Sequence, residues 1–164
     1  MSTKPEAGDA ASFAKPVATQ DVSWETWAEG TRFGTRFRHL TSAAGVHAYH
    51  VGVQIDELEP GKQSCPAHYH LLEEEHLLVL EGRMTLRLGD ETHELEAGDY
   101  ACFPAGQRAG HCLVNNSTAV CRFVTIGERS PNEVCVYTDS HKVMVRALGE
   151  IYDKSAVKSY WDGE

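Results

Sequence analysis

The sequence predicts an all-β protein, and three features of the chain support that prediction. Several short runs alternate apolar and polar residues with period two, as at residues 49–55 and 83–88, which is typical of strands that bury one face. Turns that contain Gly or Pro separate the runs, for example at residues 59–61 and 104–106. No segment has a helical repeat strong enough to compete. Short, regularly spaced strands of this kind indicate a β-sandwich or barrel.

The predicted strands follow one another closely along the chain. Tyr49 opens the first alternating run, and a later apolar run ends at Gly82. The next two runs are joined by Gly89 and Asp90, a dipeptide that fits a tight hairpin. Weak patterning over residues 150–160 leaves a short helix or an irregular tail open. We expect strands at residues 49–55, 76–81, 84–88, 92–95, 100–103, 111–115, 119–126 and 143–147.

The chain length of 164 residues suits one domain with a sizeable core. Residues 1–20 contain two prolines and almost no large apolar residues, so we predict a flexible N-terminal tail there. The composition becomes globular from Trp24 onward. We therefore assign one domain to residues 21–164, with its barrel at about residues 48–127.

Charge and composition exclude several classes of partner. The formal net charge is −9, from 15 basic and 24 acidic residues, which argues against nucleic acid because phosphate binding needs clustered Lys and Arg. No apolar run approaches membrane-spanning length, and the N-terminus lacks the apolar core of a secretion signal. The five cysteines are odd in number and form no CxxC pair. Together these features predict a cytoplasmic protein with reduced thiols.

Two neighbouring histidines, a glutamate and a later histidine form the leading candidate for a functional site. His68 and His70 would share one face of a strand, because strand side chains alternate. Glu75 follows a short turn, and His111 begins a later strand. Three imidazoles and one carboxylate suit a divalent transition metal and leave positions open for substrate. The competing interpretation is incidental histidines, since the chain has nine, next to an acidic turn at residues 73–74 that we expect to be solvated.

The same residues belong to two wider spacing patterns. The first is Gly61-x6-His68-x-His70-x4-Glu75-x6-Gly82. The second is Gly98-x5-Pro104-x-Gly106 followed by His111-x3-Asn115, with two extra residues before the histidine, so that Ala109 occupies the nominal histidine position. Together they resemble the two motifs of the cupin superfamily, usually written G-x5-H-x-H-x3-4-E-x6-G and G-x5-P-x-G-x2-H-x3-N. The chain thus resembles a small single-domain cupin (a monocupin).

This resemblance implies a double-stranded β-helix, or jelly-roll barrel, of six to eight strands with short flanking segments. It also implies one divalent transition metal, such as Zn, Fe, Mn or Ni, inside the barrel near one mouth. The implied ligands are His68, His70, Glu75 and His111. Cupins that this chain resembles include oxygenases, decarboxylases and isomerases, among them sugar-phosphate isomerases.

The inward face beside the metal is expected to form a mostly apolar pocket for a small organic molecule. Leu77, Val79 and Leu113 would contact that molecule, and Arg108 would meet an anionic one at the barrel mouth. Few other basic residues point inward, which disfavours a phosphorylated sugar. We expect a metalloenzyme of the isomerase or oxygenase type. A non-catalytic binding or sensing cupin is the alternative, and the catalytic residues stay open, as does turnover itself.

The segments that flank the barrel bear on oligomeric state. Residues 21–48 and 128–164 are available to cover open sheet edges. The strand pattern from Val143 to Ala147 would either extend a sheet across a two-fold axis or pair within its own subunit. We expect a homodimer, and the alternative is a monomer whose two end segments wrap one barrel.

Overall fold

The computed structural model describes residues 14–164, so most of the tail predicted at residues 1–20 lies outside the described residues. The described part is almost entirely β, which confirms the predicted fold class. Its strands are β1 (Glu25–Glu29), β2 (Phe33–His39), β3 (Val51–Leu58), β4 (His68–His70), β5 (Glu75–Glu81), β6 (Arg83–Leu88), β7 (Glu91–Glu96), β8 (Tyr100–Phe103), β9 (His111–Val114), β10 (Cys121–Glu128), β11 (Val134–Tyr137), β12 (Lys142–Val145) and β13 (Glu150–Asp153).

The helical content is small and lies outside the barrel. It consists of one short helix, α1 (Leu40–Ala43), and the 3-10 turns Thr19–Asp21, Arg146–Leu148 and Lys154–Ala156. Within residues 14–164, no helix has the length and apolar character needed to cross a membrane.

The strands form two antiparallel sheets. One has the order β1-β2-β3-β10-β5-β8 and the other β13-β12-β11-β4-β9-β6-β7. From β3 to β11 the chain passes repeatedly from one sheet to the other, as in a jelly roll. The predicted barrel architecture is therefore confirmed, and the HxH segment forms a three-residue strand of its own inside the second sheet.

Both flanking segments extend the sheets of their own chain. Strands β1 and β2 continue the first sheet beyond β3, and β12 and β13 continue the second beyond β11. Val143 pairs with Val136 of β11 and with Tyr152 of β13, so the predicted strand at residues 143–147 pairs within its subunit. The C-terminal region left open by the sequence forms β13 and a 3-10 turn.

The hydrophobic core fills the space between the sheets. Its buried members come from both sheets, so that burying them holds the two sheets together. They are Leu58, Leu77, Val79, Met84, Leu86, Leu95, Phe103, Leu113, Cys121 and Phe123. Strands β5, β6 and β10 each contribute alternate residues to this core, which is the pattern expected of a two-layer β-structure.

Asn115, at the end of the second motif, ties three segments of the barrel together. It is 0% exposed, and its Nδ2 donates to the carbonyls of Leu58 and Ala119 at 2.7 and 2.8 Å. Its Oδ1 accepts from the backbone N–H of Ser117 at 2.9 Å. All these groups are polar atoms that would otherwise be left unpaired on burial, so this motif residue is structural.

Two motif glycines have left-handed backbones but different surroundings. Gly82, between β5 and β6, has φ +82°, and a Cβ there would lie 2.8 Å from the carbonyl oxygen of Val120. Gly61 has φ +77°, and a Cβ there would meet nothing within 4 Å. The first position therefore excludes a side chain by conformation and by space, and the second by conformation alone.

We expect Gly82→Ala to destabilise the protein more than Gly61→Ala. The Gly61 variant should lose about 1 kcal/mol, the cost of a left-handed alanine. The Gly82 variant should lose roughly 2 kcal/mol or more, because the backbone around Val120 must also shift. Urea unfolding of both variants measures the difference. Equal losses would contradict the steric explanation.

Candidate metal centre

The four predicted ligands lie together at one place inside the barrel. His68 and His70 lie on β4, Glu75 begins β5, and His111 begins β9. One ligand atom from each lies within 4.8 Å of the other three. The Nε2 atoms of His68 and His70 are 3.1 Å apart, and His111 Nε2 is 3.0 Å from Glu75 Oε2. This is a cluster compact enough to surround a single ion.

The sheet register explains why His111 joins the cluster despite the two extra residues before it. Strands β4 and β9 are antiparallel neighbours, and His68 pairs directly with His111. The insertion is absorbed in the loop between β8 and β9. The His111 ring stacks on Phe103, with ring centroids 3.9 Å apart and planes inclined by 8°. This stacking fixes the ring with Nε2 toward Glu75.

Polar groups behind His68 and His70 orient the Nε2 lone pairs of these two rings toward the cluster. His68 Nδ1 lies 2.9 Å from the carbonyl oxygen of Pro66, which only accepts, so Nδ1 carries the proton and Nε2 is a bare acceptor. His70 Nδ1 faces the carboxylates of Glu133 at 3.3 Å and Glu73 at 3.5 Å, which favours the same tautomer. Two lone pairs then face each other at 3.1 Å, an arrangement that a cation between them stabilises. The donor set fits a divalent transition metal.

Two buried acids support the turn that carries Glu75. Glu133 is 0% exposed, and its two oxygens accept from the backbone N–H groups of Leu71 and Leu72 at 2.9 and 3.0 Å. Glu73 is buried and pairs with Arg146. The expectation that residue 73 is solvated is therefore wrong, because a partner 73 positions along the chain neutralises it.

The protonation states of the cluster suit metal binding at neutral pH. Burial alone would raise the pKa of Glu75, but the neighbouring His111 and His70 side chains outweigh burial and hold that pKa well below its usual range. Burial lowers the pKa of His111, so its imidazole is neutral. Burial raises the pKa of the nearby Cys65 thiol to about 12, and this residue is not a member of the four-residue cluster.

A cavity of about 240 Å³ opens beside the cluster. His68, Glu75 and His111 form part of its wall, and its apolar lining includes Trp27, Leu77, Phe103, Leu113 and Phe123. Of the four residues predicted to contact a ligand, Leu77 and Leu113 line this cavity. Val79 is packed in the core. Arg108 is exposed on the loop between β8 and β9 and lines neither this cavity nor the one described next.

A second cavity, of about 230 Å³, reaches the cluster from another side. It shares His68 and Glu75 with the first cavity and adds His70. Its lining is polar and includes Arg129 and Arg146. The candidate ligands therefore lie where an apolar cavity and a polar cavity meet, and basic residues are closer to them than the sequence indicated.

Comparison with known proteins shows which family this chain belongs to. Residues 54–127 match the family model described as the cupin domain. A putative sugar phosphate isomerase from Acidithiobacillus ferrooxidans is 30% identical, with 79% of this chain and 82% of that chain covered and a TM-score of 0.73. A sugar phosphate isomerase from a cupin superfamily, from Silicibacter pomeroyi, is 28% identical, with 90% and 98% covered and a TM-score of 0.77. This chain is a cupin.

A polyketide cyclase from Streptomyces resistomycificus resembles this cupin over a smaller part of the chain. It is 28% identical, with 70% of this chain and 78% of that chain covered and a TM-score of 0.56. No curated protein sequence matches at a significant level.

One polar residue of the first cavity was not expected from the sequence. Asp56 on β3 is 3% exposed. Its Oδ2 accepts from the Thr125 hydroxyl at 2.9 Å, and its Oδ1 accepts from Gln54 Nε2 at 2.8 Å. Burial raises the pKa of Asp56 to about 7, and the charge of Glu75 acts in the same direction. Alternation along β3 predicts that its apolar residues face inward, but Gln54 and Asp56 face the cavity instead.

We expect Asp56→Asn to stabilise this cupin more at pH 8 than at pH 4. The native carboxyl holds its proton up to a pKa of about 7, against 3.8 for the free group, so wild-type stability falls as pH rises between those values. The full difference is on the order of 4 kcal/mol. Urea unfolding of the metal-free proteins at both pH values measures it. A gap between variant and wild type that does not change with pH would contradict the raised pKa.

Proposed function

We propose that this cupin is a metal-dependent isomerase that acts on sugar phosphates. The observation that carries the proposal is the convergence of His68, His70, Glu75 and His111 at the junction of two cavities. Similarity over most of the chain to two proteins described as sugar phosphate isomerases supports the reaction class. The apolar and polar cavities together offer room for a small organic molecule with one charged end.

The four side chains would hold one divalent metal, with Zn, Fe, Mn and Ni as the candidates. When bound, such an ion acts as a Lewis acid that polarises a carbonyl oxygen. The chain's own groups orient the substrate. Thr35, Gln54 and Thr125 line the first cavity with neutral hydrogen-bonding groups suited to hydroxyls. Phe103 and Leu77 exclude water from the same space.

The polar cavity supplies a cation for a phosphate group. Arg146 is already paired with Glu73, whereas Arg129 forms no ion pair with any of residues 14–164. Its guanidinium lies 5.9 Å from the centre of the Tyr49 ring, which holds the side chain at the edge of the cavity. Arg129 is therefore the group that we assign to the phosphate. The sequence disfavoured a phosphorylated substrate because few basic residues were expected to point inward, and the position of Arg129 removes that objection.

We expect purified protein to contain about one divalent metal per chain, and a His68→Ala, His70→Ala double variant to contain almost none. His111→Ala should lower metal affinity or change the coordination spectrum, and wild-type binding should weaken at acid pH as the imidazoles take up protons. His93→Ala, at an exposed position on β7, is the matched control. Elemental analysis and metal-edge spectroscopy give the readout. Equal metal in wild type and the double variant would rule out this centre.

We expect the metal-loaded protein to interconvert aldose and ketose phosphates and the chelator-treated protein not to do so. Arg129→Ala should raise KM about 10-fold to 100-fold, because a charge-assisted hydrogen bond to phosphate is lost. Arg83→Ala, an exposed arginine on β6, should leave KM unchanged. NMR of a panel of sugar phosphates measures conversion. Binding of panel members without any conversion would instead support a non-catalytic binding or sensing cupin.

We also propose that this cupin is a homodimer. The outer face of the first sheet exposes Leu78 by 41%, Leu80 by 42% and Tyr100 by 59%, and the last lies on β8, the edge strand. Leu78 and Tyr100 are paired neighbours, and exposed apolar clusters often mark interaction surfaces. A second copy of the same face would cover this one across a two-fold axis.

Light scattering should give twice the chain mass of 18.1 kDa. Leu78→Lys should give the single-chain mass, because a charge on the patch opposes its burial. Leu148→Lys, at an exposed position away from the patch, should remain a dimer. A wild-type mass of 18.1 kDa would exclude the dimer.

A further inference from the structure

We propose that Asp56 is the general base and general acid of this site, taking a proton from the substrate and returning it to the neighbouring carbon. The inference rests on the proposed function, since it assigns a step of that reaction. It is carried by the position of the carboxyl in the cavity wall and by the kind of partners it has.

The four buried carboxylates of residues 14–164 differ in their partners. Glu57 pairs with Arg36 and Arg122 on the outer side of the sheet. Glu73 pairs with Arg146, and Glu133 accepts two backbone N–H bonds. Only Asp56 faces a cavity with neutral side-chain donors and no Lys or Arg side chain in its lining.

The contrast between Asp56 and Glu57 is the most direct. They are consecutive residues of β3 and are 3% and 2% exposed, yet they project to opposite sides of the sheet. The chain neutralises the outward acid with two arginines and leaves the inward acid without a countercharge. An unneutralised acid in a desolvated cavity is typical of a group that exchanges protons near neutral pH.

The other titratable side chains of the cavity are unsuited to this role. His68, Glu75 and His111 are the candidate metal ligands, and Cys65 and Cys112 keep their protons because burial raises the pKa of each, to about 12 and about 11. His76 is engaged by the Tyr100 hydroxyl at 2.6 Å and by Glu74 at 3.0 Å. These six are the titratable groups that share the cavity with Asp56.

The step balances within the substrate and Asp56. In the aldose-to-ketose direction the ionised carboxylate forms an O–H bond to the hydrogen of C2. The C2–H electron pair becomes a C1–C2 double bond, and the carbonyl pair moves onto O1. The hydroxyl proton of C2 then passes to O1. As the C2 carbonyl forms, the double-bond pair takes the proton from Asp56 onto C1, which restores the carboxylate without an oxidant or reductant.

The first arm of the test follows carbon-bound hydrogen. The zinc-loaded protein is incubated with the sugar phosphate panel in D₂O, and NMR records deuterium at C1 and C2. Asp56→Asn should slow incorporation by about 10²-fold to 10⁴-fold while binding as much zinc as wild type. Asp90→Asn, in the exposed turn between β6 and β7, should leave the rate unchanged.

The second arm needs no substrate. Carbon-13 NMR of metal-free protein labelled at Asp should show a carboxyl that titrates near neutral pH and disappears in Asp56→Asn. Thr125→Val removes a donor to the ionised form, so it should move that titration to higher pH. If Asp56→Asn does not fold, the Asp56 carboxyl resonance is identified as the one whose titration moves in Thr125→Val.

The outcomes separate the two proposals. Incorporation in wild type that continues unchanged in Asp56→Asn would overturn the role of Asp56 and leave the isomerase intact. An Asp56 carboxyl that titrates at an ordinary value of about 4 would do the same. Zinc-loaded wild type that neither labels nor converts any member of the panel would overturn the isomerase, and the role of Asp56 with it.

Discussion

The site depends on one very short strand. Strand β4 has three residues, and its only registered partner on β9 is the His68–His111 pair. Isolated ladders of this length contribute little stability. The segment is also held by antiparallel pairing of all three residues with β11. Backbone bonds at its ends add to this, from Gly106 N–H to the His70 carbonyl at 2.9 Å and from Leu71 N–H to the Val134 carbonyl at 3.1 Å. Glu133 then fixes the turn that follows. The geometry of the metal centre therefore depends on contacts outside β4.

A structural feature can be predicted from this sequence only when it produces a pattern among neighbouring residues. The strands show period-two alternation, and the spacing of the HxH segment places two imidazoles on one face. The strands and this pair of histidines can therefore be predicted from neighbouring residues. The roles of Glu73 and Glu133 produce no local pattern, because their partners lie 73 and 62 residues away along the chain. Their burial follows from the arrangement of β11, β12 and the turn after β4, which only the folded chain defines.

Strand β3 shows a second reason for failure. Alternation assigns apolar residues to the interior, and Val53 and Ile55 would then face the core. Here Gln54 and Asp56 line the cavity, because the interior at this point is a polar wall and the outer face is itself apolar. Binary patterning assumes that a strand has one buried apolar face and one solvent-exposed polar face. A strand that separates a ligand cavity from an apolar outer patch breaks that assumption at the functional residues, where local rules are expected to fail.

The ion pair between Arg146 and Glu73 ties the candidate centre to the far end of the chain. Arg146 directly follows β12, and its backbone N–H also donates to the Glu133 carbonyl at 2.9 Å. A polypeptide still on the ribosome, or one clipped by a protease before this residue, has the four ligands but neither the countercharge nor this anchor. Such a chain would bury Glu73 without its countercharge, at a cost of several kcal/mol. The last strands must therefore be in place before the turn that precedes Glu75 has its full support, so the candidate site is completed only late in chain synthesis.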